Sequence, residues 1–109
     1  MGVYLLIETR SSWESPEVDR FLEVATALVG ERHQVDLYLV QNGVLNARAG
    51  ANGPLAPLIE AHAVPIWVDE FSLNSRALSR RDLVDGVDVT GIDQLVELLT
   101  RPGCKPIWH

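Results

Sequence analysis

The sequence predicts an α/β domain of three layers: about five strands, mostly parallel, with helices on both faces of the sheet. Three observations predict it. Val3–Ile7 and Val35–Val40 are apolar runs broken only by Asp36, the mark of strands covered on both faces. Such runs alternate along the chain with stretches whose apolar residues recur at helical spacing, which gives a parallel sheet with right-handed crossovers. A length of 109 residues with 47% hydrophobic content suits one packed domain over residues 1–109.

The elements follow in order. Val3–Ile7 is the first strand, ended by the polar stretch from Glu8 to Ser12. Ser15-Pro16-Glu17 starts a helix: Ser15 offers a capping oxygen, Pro16 suits the first turn, and Glu17 sits at the positive end of the dipole. Val18, Phe21, Leu22, Ala25, Leu28 and Val29 form one stripe of that helix, and Gly30 stops it. Val35–Val40 is the second strand. It closes on Gln41-Asn42-Gly43-Val44, read as a sharp turn at the carboxyl end of a strand, where open α/β sheets keep their binding crevice. Ala49–Gly53 is expected to be a flexible loop, and Pro54–Ala61 a short helix limited by Pro57. Val64–Val68 is the third strand, with Pro65 tolerated near its start. Asp69–Leu78 has helical character, with Phe71, Ser75 and Leu78 turned inward, and Arg80-Arg81-Asp82 is solvated. Val87–Val89 is a short fourth strand. Ile92, Leu95, Val96 and Leu99 mark a fourth helix, ended by Pro102-Gly103. Lys105–His109 is a last, edge strand, because Pro106 lacks the N–H of a ladder donor.

Composition narrows the function classes. The net charge is −6, from 15 acids against 9 bases. That balance argues against direct nucleic-acid binding, which needs a basic surface to displace counterions, and against docking on an anionic membrane. No apolar stretch is long enough to span a bilayer, and Met1-Gly2-Val3-Tyr4 carries no basic leader, so a cytoplasmic protein is expected. The single cysteine, Cys104, excludes a disulfide within the chain and a cysteine metal cluster. His33, His62 and His109 lack ligand spacing, so neither metal nor cofactor is expected.

Few constellations carry chemistry. Cys104 follows a helix-ending Pro-Gly and precedes Lys105, whose charge would favour the thiolate; the plainer reading is a lone cysteine in a turn. Asp69, Thr90 and Lys105 each fall near a strand end and resemble the phospho-acceptor site of a response-regulator receiver domain. The acidic pair that such a site needs after its first strand is missing, so three unrelated loop residues is the favoured reading. Thr9, Ser11 and Ser12, with Asn42 and Gly43, could line a crevice for a phosphate or small ligand, although no Gly-rich fingerprint is present. Trp13 is a lid, an interface anchor or a staple on the first helix. Trp67 and Trp108 are candidates to cover a sheet edge or a subunit interface.

Leu37-Tyr38-Leu39-Val40-Gln41-Asn42-Gly43-Val44 resembles the "strand, Gln-Asp-Gly-Val" segment of the DsrE/DsrF/DsrH-like sulfur-relay family. Ile66–Leu78 resembles its third strand and "ALxxRGL" helix, and the Ile107-Trp108 ending is similar to the DsrH/TusB branch. The resemblance implies cytoplasmic sulfur metabolism of the kind that feeds tRNA thiolation, with a cysteine persulfide passed between proteins. It implies a homo-oligomer, or a hetero-oligomer with DsrE/DsrF-like subunits, and a sulfur-carrier protein as partner. Thiol-bearing relatives place their cysteine directly after the third strand, and that position here is Asp69. The chain is therefore expected to be a thiol-poor, non-catalytic subunit or binding module. The alternatives are a persulfide carrier using Cys104 and a small-ligand or phosphate-binding protein.

Overall fold

The computed structural model describes residues 1–50 and 53–109. Of the loop expected over 49–53, Ala51 and Asn52 lie outside the described residues. Five strands form one sheet: β1 (Val3–Glu8), β2 (Gln34–Leu39), β3 (Ile66–Asp69), β4 (Asp88–Thr90) and β5 (Cys104–Trp108). Their spatial order is β4-β3-β2-β1-β5, and every pairing is parallel. The chain steps outward from β1 to β4, then crosses the sheet to place β5 on the other side of β1. The carboxyl ends of all five strands therefore share one edge of the molecule.

Helices cover both faces, as the alternation predicts. α1 (Glu17–Gly30), α2 (Ala56–Ala61) and α3 (Glu70–Ser75) lie with the 3₁₀-helix Gln41–Ala47 on one face. There Leu6, Leu37, Leu39 and Val68 meet Val18, Leu22, Ala25, Val44, Leu58 and Leu73 in one large core. The expected stripe of α1 is the stripe that packs. Burying a side chain such as Leu22 contributes on the order of 1.5–3 kcal/mol before the entropy of ordering is subtracted. Ser15 Oγ accepts a long bond of 3.3 Å from the Glu17 N–H, and the chain leaves α1 through a left-handed Arg32.

The second face is thinner. Among the described residues only α4 (Ile92–Leu99) covers it, and its core consists of Leu5, Ile7, Tyr38, Leu95 and Leu98. Here the pattern misleads. Ile92 and Val96, read as part of the inward stripe, are exposed, because α4 is short and turns Leu95 and Leu98 to the sheet. Phe71, also expected inward, is 78% exposed, and Ser75 is exposed with its hydroxyl spent on the Phe71 carbonyl.

The expected sharp turn at Asn42-Gly43 is instead the start of the 3₁₀-helix. Gly43 is needed there for proximity rather than for an unusual φ: a Cβ on it would stand 2.0 Å from the Glu8 carbonyl oxygen. No helix among the described residues is long and apolar enough to cross a membrane.

Candidate functional site

A cleft of about 610 Å³ opens at the carboxyl ends of β2, β3 and β4. Asp69 forms its floor. It is the last residue of β3 and the N-cap of α3, so its backbone is extended and its side chain turns back over the helix start. Its Oδ2 accepts from the Ser72 N–H at 2.9 Å and from the Ser72 hydroxyl at 2.7 Å. Its Oδ1 lies 3.1 Å from the Tyr38 hydroxyl. The Ser72 oxygen in turn accepts from the Gln41 N–H at 2.8 Å. Buried polar groups need such partners, and each oxygen of this carboxylate has at least one. Burial, and then the Asp69 charge beside it, push the Tyr38 phenol well above its ordinary value of 10.0. The Tyr38 hydroxyl thus keeps its proton and faces two acceptors, Asp69 Oδ1 and, at 3.3 Å, the Gly91 carbonyl.

The rim carries one cation. Arg76 follows α3 and donates from Nε and Nη2 to Asn42 Oδ1, at 3.0 and 2.8 Å, and from Nη1 to the Ser72 carbonyl at 3.0 Å. Asn42 thus serves as a brace for Arg76, and its amide reaches Glu14 at 3.4 Å. Phe71, Val40 and Ile92 supply the apolar walls. Gln41, which lines this cleft, is left-handed at φ 55°, and so is Ala77, next in sequence to Arg76. Non-glycine residues take that conformation at a cost, and such strain gathers at functional sites.

The topology has a second natural crevice, at the switch point where β1 lies between β2 and β5. In this chain it is plugged. His109 donates its N–H to the Ile7 carbonyl, and its carbonyl accepts from Thr9 N and Thr9 Oγ1. Its ring stacks on Phe21 and sets Nδ1 2.8 Å from the wholly buried Glu8 carboxylate. Burial pushes the Glu8 carboxyl up, and the hydrogen bond to His109 opposes that shift without cancelling it.

The plug settles what surrounds Thr9, Ser11 and Ser12. All four amides from Thr9 to Ser12 donate to protein acceptors: the His109 carbonyl, Glu8 Oε2, Glu14 Oε1 and Asn46 Oδ1. Two of those acceptors are carboxylates, so the loop holds anions of its own where a phosphate would need free N–H groups.

Cys104 is half-buried at the amino end of β5, registered with Val3, and packs on the thinner core. It therefore lies at the opposite end of the sheet from the cleft. Lys105 does not approach its sulfur: strand alternation sends the ammonium to the other face, over the Tyr4 ring at 5.2 Å. Asp69 and Thr90 are registered neighbours, but Lys105 pairs with Tyr4 near the start of β1, so the three do not converge. Trp67 is half-buried and donates its indole N–H to Asp36 at 2.8 Å, beside the Arg101–Asp36 ion pair. Trp13 is 69% exposed and Trp108 59% exposed. Among the described residues no cluster of three or more His, Cys, Asp or Glu side chains could hold a metal ion.

Sequence reasoning missed Arg76, Tyr38, Ser72 and the Glu8–His109 pair. Arg76 is a lone basic residue at a helix end, which no spacing rule singles out. Glu8 and His109 stand 101 residues apart.

Five parallel strands in this order, layered between helices, define a DsrE-like α/β fold. Two solved structures share it. The YchN protein from E. coli superposes with a TM-score of 0.80 at 18% identity, over 98% of this chain and 100% of the other. MTH1491 from Methanobacterium thermoautotrophicum, a protein of unknown function, superposes with a TM-score of 0.76 at 20% identity, over 98% and 97%. Both have the DsrE-like fold. No protein-family model and no curated protein matches the chain.

Proposed function

We propose that this chain is a non-catalytic interaction subunit of a cytoplasmic sulfur-relay assembly, of the DsrH/TusB kind, working beside DsrE/DsrF-like subunits that carry the thiol. One observation carries the reading. At the end of β3, where the resemblance puts the sulfur-bearing cysteine, stands Asp69, a carboxylate held by three hydrogen bonds. A carboxylate cannot accept a sulfane sulfur, because it has no thiolate to form the S–S bond. What the region offers is surface. Val96 and Trp108 leave apolar area uncovered on the α4 face, as subunit contacts do.

Light scattering on a sizing column tests this. The 12.1 kDa chain is expected to run as a multiple of itself, or to shift on mixing with DsrE/DsrF-like subunits. Val96→Asp is expected to weaken that association without unfolding the chain. A strict monomer that ignores such subunits would overturn the proposal.

A further inference from the structure

The arginines of the two faces are treated differently. Arg101 is an ordinary structural cation: its Nη1 lies 3.0 Å from the buried Asp36 carboxylate. Arg76 has no such partner. Among the described residues no carboxylate lies within 4.0 Å of its guanidinium, and its acceptors are a side-chain amide and a backbone carbonyl. Glu14 reaches it only through Asn42.

Those acceptors leave a defined remainder. A guanidinium has five N–H groups. Three are used, by Nε, Nη1 and Nη2 once each, so one N–H on each terminal nitrogen is unspent. Two N–H groups on adjacent nitrogens match the two oxygens of a carboxylate. Asn42 and Ser72 fix the plane of the group, so little rotamer freedom is lost when an anion arrives. The other anion in the cleft, Asp69, takes its hydrogen bonds from Ser72 and Tyr38 and makes none to Arg76.

The walls say what the anion is attached to. Val40, Phe71 and Ile92 line the same cleft, and Phe71 and Ile92 are mostly exposed. An inorganic ion would leave that apolar surface wet, whereas an organic body would bury it.

We propose that this cleft binds a small organic anion, an apolar body bearing one carboxylate, with Arg76 as its anchor and Phe71 and Ile92 as its walls. The site lies within one chain and goes beyond the subunit reading. It holds whether or not the chain partners a sulfur carrier.

The test is a titration of ¹⁵N-labelled protein, followed by amide and Arg Nε–H shifts, with hexanoate as the probe. Hexan-1-ol keeps the body without the charge, acetate the charge without the body, and inorganic phosphate is a charge of another shape. Hexanoate is expected to move Gln41, Ser72, Gly91 and the Arg76 Nε–H saturably, and to bind more tightly than the other three. Arg76→Gln is expected to weaken hexanoate roughly tenfold to a hundredfold, the loss of a charged pair of hydrogen bonds. Its spectrum away from the cleft reports whether it is folded. Ile92→Ser, a change at an exposed wall, keeps the anchor and is expected to weaken hexanoate while leaving acetate unchanged. Absence of saturable shifts at the cleft with hexanoate would overturn the proposal. So would equal binding by Arg76→Gln, or phosphate binding as tightly as hexanoate. Light scattering on the same samples reads the assembly separately, so failure here leaves the subunit reading standing.

Discussion

The two faces of the sheet are built by different rules. Under α1 the interlocked side chains of three helices and a 3₁₀-helix fill the space, and the inward stripe of α1, from Val18 to Val29, finds partners along its length. Under α4 a single short helix contributes Leu95 and Leu98, and Ile92 and Val96 are left facing outward. The first face holds the fold together. The second has apolar surface to spare, and the cleft joins the two: Ile92 comes from this side, Phe71, Ser72 and Arg76 from α3 and its end on the other. Stability is thus concentrated on one side of the sheet, while the cleft draws on both.

The sharpest way to break that comparison is Gly43→Ala. The new methyl group would collide with the Glu8 backbone, which cannot swing away as a side chain could. A loss of about 3 kcal/mol or more is expected, read as a collapse of the urea midpoint. Next comes a matched pair. Leu22→Ala on the filled face is expected to cost about 2–5 kcal/mol, and Val96→Ala on the thin face about 0.5 kcal/mol or less. Equal losses in urea unfolding would show that the faces do not differ in kind. Smaller still, Ala77→Gly removes the left-handed penalty at φ 55° and is expected to stabilise by about 0.5–1 kcal/mol, raising the thermal midpoint.

The last effect is a slope. The unfolded chain titrates Glu8 near 4.5, and burial raises the folded value. The folded state therefore holds the proton longer. Glu8 contributes stability that is fully present below 4.5 and is lost as pH rises through the raised value. Glu8→Gln, which cannot ionise, is expected to flatten this descending limb in urea midpoints measured from pH 4 to 8. An unchanged slope would mean that His109 offsets the burial completely.

Much of this was legible in the residues, for identifiable reasons. The α1 stripe could be read because six apolar positions repeat at one period and all have a neighbour to meet. β1, β2 and β3 could be read because parallel strands buried on both faces have no polar alternation to confuse them. Asp69 could be placed at the junction of the third strand and the helix that follows it. α4 defeats the same reading because periodicity reports a stripe but not whether a layer exists to cover it, and only part of the stripe is covered. The start of the 3₁₀-helix looked like a turn because Asn-Gly favours both, and what selects the helix is the burial of Val44 and Ala47 against the sheet. The cleft was half visible. Asn42 and Asp69 stood out by position, while Arg76 has meaning only once Asn42 is seen to brace it.

Pro106 has one more consequence. On β5 the N–H and carbonyl of His109 point toward β1, and by alternation those of Pro106 point away, to the open side of the sheet. The middle of that margin thus has no hydrogen to offer an incoming strand. At the opposite margin β4 is three residues long and begins on Asp88. Both flanks are thus blunted against pairing with a strand of another copy, one by a proline and the other by its shortness.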